Sequence, residues 1–196
     1  MKVNICGASG VGKTTLAKWI ADEYKVPFIV NSAKPLWDKH NIKGHLDLIR
    51  KCNDNPQFGI DFQYELLEMR RENTKGLESF VTDRSPIDNV VYFLMQVSTY
   101  VNENECENYI KSAIEILNEH EDNFLVYLPS TNTIVDNDGA RITNKFFQHT
   151  VDAVFSYMYD NYVINKIVHS ESIKLDKWDF EERKKIMIEF LKGKQG

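Results

Sequence analysis

Gly7-Ala8-Ser9-Gly10-Val11-Gly12-Lys13-Thr14 follows the apolar run Val3-Asn4-Ile5-Cys6 and opens a stretch where Leu16, Trp19, Ile20 and Tyr24 recur at helical spacing. A strand, then Gly-x-x-x-x-Gly-Lys-Thr, then a helix is the order a phosphate-holding loop requires. Gly7, Gly10 and Gly12 let the backbone curl with its N–H groups turned inward around phosphate oxygens. The helix expected from Lys13 adds the positive end of its dipole. Lys13 has the reach for outer phosphates, and the Thr14 hydroxyl suits Mg²⁺. Gly7, Ser9, Gly10, Val11, Gly12, Lys13, Thr14 and Thr15 are therefore the expected cradle for ATP or a similar nucleoside triphosphate.

Outward from this loop, apolar runs alternate with helical patterns. A short run at 27–30 reads as a second strand, and Phe58, Phe62, Leu66 and Met69 mark one face of a helix ending near Gly76. Phe80-Val81-Thr82 is a strand that ends in Asp83. Ser85-Pro86-Ile87-Asp88 has the residues of a helix start: a cap, a first-turn proline and an acid three residues after the cap. Helices are expected to about Tyr100 and over 103–120, then a strand at 124–128, a polar loop at 131–140 and a helix to about Tyr159. A last strand at 162–168 and a charged helix at 178–192 complete the chain. Residues 31–55 read as irregular, because Pro35, Gly44 and Pro56 interrupt any long element. The alternation predicts a three-layer α/β fold, a parallel sheet of about five strands with helices on both faces. With 196 residues, no repeat and no linker, residues 1–196 read as one domain.

Net charge is −5, so no broad cationic surface is available for nucleic-acid phosphates, and bulk nucleic-acid binding is disfavoured. No apolar stretch approaches the roughly 18 residues of a membrane span. Cys6, Cys52 and Cys106 are odd in number and widely spaced, which fits free thiols in a reducing cytoplasm. The five histidines, His40, His45, His120, His149 and His169, show no metal-ligand spacing.

Asp83 closes an apolar strand, and in an open parallel sheet ligands gather at the carboxyl ends of strands. Beside the phosphate loop it can hold Mg²⁺ or accept a proton from an attacking hydroxyl, and Arg84 can neutralise phosphate charge. Gly7–Thr14 together with Thr82-Asp83-Arg84-Ser85 resembles the P-loop nucleoside and nucleotide kinases, the group containing thymidylate kinase and the deoxynucleoside kinases. The resemblance spans roughly residues 1–165. It extends to the ribosylnicotinamide kinases and to small AAA ATPase/kinase-like proteins, many of them phage-encoded, for which the location would be a host cytoplasm. It implies a P-loop NTPase fold and an Asp-Arg pair serving metal, acceptor and phosphate. It also implies a lid at 131–145, in which Arg141 of Asp138-Gly139-Ala140-Arg141 contacts ATP phosphates. These kinases often carry a second lid arginine; here Ile142-Thr143-Asn144-Lys145 follows instead. Asp136-Asn137-Asp138-Gly139 also fits the Asp-x-x-Gly of GTPases, but no Asn-Lys-x-Asp follows it, which excludes that reading.

The resemblance makes 31–76 the acceptor-binding region. Gln63 and Arg70 lie seven residues apart on a helix face different from that of Phe58 and Phe62. Their separation of roughly 10 Å, at about 1.5 Å per residue, is comparable to that between base edge and 5′-phosphate in a nucleotide. Gln63 then reads the base, as a glutamine does in the deoxynucleoside kinases, and Arg70 the phosphate, with Arg50 and Arg71 as rivals. Trp37, Tyr64 and Tyr92 are candidates for stacking on the base. The expected activity is ATP- and Mg²⁺-dependent phosphoryl transfer, with Lys13, Asp83, Arg84 and Arg141 as catalytic residues, Thr14 and Asp83 as metal ligands, and Gln63, Arg70 and Arg84 at the acceptor. The expected acceptor is a deoxynucleoside monophosphate. A nucleoside, ribosylnicotinamide or a modified DNA base are alternatives, as is a nucleotide-dependent switch working through a protein partner. A homodimer is compatible with all of these.

Overall fold

The computed structural model describes residues 1–119, 123–130, 142 and 144–192. Strands β1 (Lys2–Cys6), β2 (Phe28–Ile29), β3 (Phe80–Thr82), β4 (Asn123–Tyr127) and β5 (Glu171–Lys174) form one sheet in the order β2-β3-β1-β4-β5. Every pairing is parallel. Strands covered on both faces bury every side chain, and Val3, Ile5, Val81, Leu125 and Val126 are all fully buried. The chain order reverses at β1, which has β3 on one side and β4 on the other. That reversal opens a crevice beyond the carboxyl ends of β1 and β3, where Gly7 and Asp83 begin their loops.

The helices are α1 (Lys13–Tyr24), α2 (Lys34–Lys39), α3 (His45–Asp54), α4 (Pro56–Thr74), α5 (Pro86–Gln96), α6 (Glu103–Asn118), α7 (Lys145–Met158) and α8 (Phe180–Lys192). α1 inserts Leu16, Ala17 and Ile20 into the main core. α5 is buried almost all round and packs between neighbours; its Phe93 ring stacks on Tyr109 of α6 with centroids 4.1 Å apart. The capping box expected at Ser85 is present: Ser85 Oγ accepts from Ile87 N, and Asp88 accepts from Ser85 N at 2.9 Å.

Two segments differ from the sequence reading. Residues 31–55 contain two helices, because Pro35 falls at the start of α2 and Gly44 immediately precedes α3, positions where these residues begin helices. Leu36, Ile42, Leu48 and Cys52 of this region meet Phe62 and Leu66 of α4 in a second, smaller core. The strand expected at 162–168 is absent; Tyr159–Val163 is a π-helical turn, and Lys166 turns the chain at φ 59°. The edge strand lies later, where Ser172 and Ile173 pair with Leu125 and Val126. Its sequence, Glu-Ser-Ile-Lys, lacks the apolar run of the inner strands.

Candidate active site

The phosphate loop leaves β1 at Gly7, whose φ of 141° and close approach to the Leu128 carbonyl exclude any side chain. Gly12, at φ 91°, hands the chain to α1 with no side-chain cap and no acid in the first turn. The first N–H groups of α1 are thus left for an anion. Lys13 is buried, and its Nζ donates to Gly7 O and Ala8 O, each at 2.6 Å. Thr14 Oγ1 donates to Asp83 Oδ2 at 2.5 Å, which joins the loop to the end of β3. Asp83 is 8% exposed, and its Oδ1 has no protein partner.

Burial, then the charge of Arg84, lowers the Lys13 pKa to about 7. A phosphate entering the loop favours the ammonium form, so above that pH binding takes up a proton. Triphosphate affinity is therefore expected to be full below about pH 7 and to fall as pH rises through it, levelling off above the pKa of the bound complex. Calorimetry of ATP binding at alkaline pH, in buffers of different ionisation enthalpy, checks this. The heat should change with buffer in the native protein and not in Lys13→Ala. A buffer-independent heat in the native protein would show that Lys13 carries its full charge before phosphate arrives.

A cavity of about 500 Å³ runs from Ser9, Thr14, Asp83 and Arg84 to a wall made by α2, α3, α4 and α5. The antiparallel pair α4 and α5 contributes two polar rungs to it. Gln63 Nε2 donates to Gln96 Oε1 at 2.8 Å. One helical repeat of seven residues away on each helix, Arg70 Nη1 donates to Asn89 Oδ1. The rungs are roughly 10 Å apart along the helices at about 1.5 Å per residue. Gln63 and Arg70, expected on a helix face different from that of Phe58 and Phe62, are both buried, and Gln63 Oε1 has no protein partner. Trp37, His45 and Tyr92 give the cavity an aromatic side: His45 stacks on Tyr92 at 5.6 Å and meets Trp37 edge-on at 5.1 Å.

Several expectations change in this light. Arg70 is not an open fork: Nε donates to Asn31 O at 3.2 Å and Nη1 to Asn89, so two of its three nitrogens already hold protein oxygens. Arg84 Nη1 is paired with the fully buried Asp88 at 3.0 Å. Burial acts to lower the Arg84 pKa and is outweighed chiefly by Asp88, so the guanidinium stays charged. Tyr64 bonds Glu105 at 3.0 Å, packs on Tyr109 and is not among the residues lining this cavity. Arg71 faces Glu119, and Arg50 is exposed on α3. Arg141 and 131–140 lie outside the described residues. Asn31, Asn89 and Gln96 were missed by the sequence reading. Their sole signal is the i, i+7 spacing of Asn89 and Gln96, which means nothing until α5 is known to pack on α4. Arg183 of α8 was also missed, although its Nη1 donates to Val11 O of the loop at 2.7 Å.

A parallel sheet with its glycine loop at the reversal point, an Asp-Arg pair beside it and an adjoining cavity is the arrangement of the three-layer P-loop NTPase fold. The chain belongs to the AAA domain family, whose model matches residues 2–183. No curated protein matches the sequence. Among solved structures the chain is similar to deoxyadenosine kinase from M. mycoides with bound dCTP, at a TM-score of 0.68 and 15% identity, with 98% of this chain and 100% of that one covered. It is similar to NadR protein in complex with NR, at a TM-score of 0.63 and 15% identity, covering 100% of this chain and 50% of that one. It also resembles shikimate kinase from Acinetobacter baumannii in complex with shikimate, at a TM-score of 0.57 and 15% identity, with coverages of 100% and 95%. Each likeness is one of fold. Among the described residues no helix is long and apolar enough to cross a membrane.

Proposed function

We propose that the protein is an ATP- and Mg²⁺-dependent kinase that phosphorylates a hydroxyl of a small nucleoside. The observation that carries this reading is the cavity of about 500 Å³ that ends at the Thr14–Asp83 pair and has aromatic and amide groups on its walls. That volume is in the range of sites for small molecules. Its aromatic wall suits a flat base, and the Gln63 amide, with one N–H held by Gln96, keeps its unpartnered Oε1 and a second N–H for a base edge. The sequence-level expectation of a monophosphate acceptor has less support, because Arg70 and Arg84 are already held by protein oxygens.

Catalysis in this reading is positioning and charge neutralisation, as phosphoryl transfer requires. The loop amides and Lys13 hold the triphosphate. The acceptor oxygen attacks the terminal phosphorus, its proton passes to Asp83, and ADP leaves. Thr14 and Asp83 form a hard-oxygen pair in which Asp83 Oδ1 lacks a protein partner, and this fits Mg²⁺. The ion would supply neutralisation of phosphate oxygens. Arg141, on the resemblance alone, remains the lid contact proposed for those phosphates.

Labelled ATP and a panel crossing four bases with nucleoside and monophosphate forms tests the acceptor. Label is expected on a nucleoside and not on its monophosphate. Transfer to the monophosphate alone would return Arg70 to phosphate recognition. In the same panel Gln63→Ala should flatten the preference among bases while leaving ATP affinity unchanged. An unaltered preference would remove Gln63 from base recognition.

A further inference from the structure

Arg183 sits 4% exposed at the second turn of the last helix, and it forms no ion pair with any described residue. Its Nε donates to Lys177 O at 2.6 Å, its guanidinium lies 5.5 Å from the Trp178 ring centroid, and its Nη1 donates to Val11 O at 2.7 Å. The chain that carries it is itself anchored: Leu175 N donates to Tyr127 O at 2.8 Å, and Asp179 caps α8 through Glu182 N at 2.9 Å. The guanidinium is thus fixed from behind and presses on the phosphate loop. A Cβ added at Gly12 would meet Arg183 Nη1 at 2.9 Å.

Val11 O and Gly12 N–H belong to one trans peptide unit, in which carbonyl and amide point in opposite directions. Gly12 is at φ 91°, a residue type for which rotation of that unit meets little steric resistance. We infer that Arg183 is a positioning residue for the phosphate loop: by holding the Val11 carbonyl outward it turns the Gly12 N–H inward to donate to a polyphosphate. A buried guanidinium without a carboxylate is electrostatically costly in the empty protein. A triphosphate in the adjoining loop supplies the missing anion, so the same residue couples α8 to occupancy of the loop.

The inference rests on the loop being a triphosphate cradle, and its test separates the two. Inorganic tripolyphosphate is the probe, because it has no base or sugar and so reads the loop alone. Calorimetry on the full chain is expected to show Arg183→Met binding tripolyphosphate about tenfold more weakly or worse, the effect of losing one charge-assisted hydrogen bond. Arg183→Lys, which keeps the charge and one donor but not the fork, should fall between the two. In turnover, KM for ATP should rise while KM for the acceptor stays constant, a split that general loosening of the fold would not give. Native tripolyphosphate affinity in Arg183→Met overturns the inference. If that variant does not fold, Arg183→Lys decides alone: about threefold weaker binding supports the inference and native binding overturns it. Lys13→Ala is the control. If it too binds tripolyphosphate normally, the cradle reading itself fails; if it alone loses binding, only the role of Arg183 fails.

Discussion

Lys13→Ala is expected to lower turnover by about two orders of magnitude or more, the scale of losing a preorganised charge at the transition state. The side chain is buried within the loop, where Gly7 O and Ala8 O hold its ammonium at 2.6 Å. An incoming phosphate offers stronger, charged acceptors at the same place. The substitution therefore removes a cation from the transferring phosphate and leaves two loop carbonyls without their donor. The fold should persist, since α1 keeps Leu16, Ala17 and Ile20 in the core. Circular dichroism should match the native protein while ATP turnover collapses. Near-native turnover with near-native ATP affinity would contradict the assignment of residues 7–14 to triphosphate.

Asp83→Asn is expected to abolish detectable transfer while ATP still binds through the loop amides and Lys13. The substitution keeps the shape and an oxygen for Thr14 Oγ1, which now reaches Asp83 Oδ2 at 2.5 Å. It removes the negative charge that would hold Mg²⁺ and the basicity that would take the acceptor's proton. A Mg²⁺ titration distinguishes the two losses. Activity recovered at high Mg²⁺ assigns Asp83 mainly to the metal, and activity absent at every concentration assigns it to the proton. Unchanged activity throughout would leave Asp83 as the end of a strand and no more.

The parts of the fold nearest the phosphates were legible because their chemistry is local. Val3-Asn4-Ile5-Cys6 before the glycine loop, and Phe80-Val81-Thr82 before Asp83, are short apolar runs ended by loop residues, and both are inner strands of the sheet. The Ser85–Asp88 capping box is likewise written within four residues. What was lost depended on partners far along the chain. Pro35 and Gly44 looked like breaks because a helix of six or ten residues cannot declare itself without the second core it packs on. The apolar run at 162–168 satisfied the pattern of a strand, yet β4 pairs with Glu171–Lys174 instead, an edge position that tolerates Glu, Ser and Lys. Gln63 and Arg70 were placed on one helix face correctly, but their burial comes from α5, which supplies Gln96 and Asn89. Arg183 touches Val11 across 172 residues, and nothing local marks it.

Acceptor-dependent release of ADP from the full chain with Mg²⁺ and ATP tests the central claim most directly. The account expects slow release with ATP alone, and release at least about tenfold faster with one nucleoside of the panel, the label from ATP appearing on that nucleoside in equal amount. A rate that no nucleoside or nucleoside monophosphate changes, with label found solely in inorganic phosphate, would contradict it and make the protein a nucleotide-hydrolysing switch.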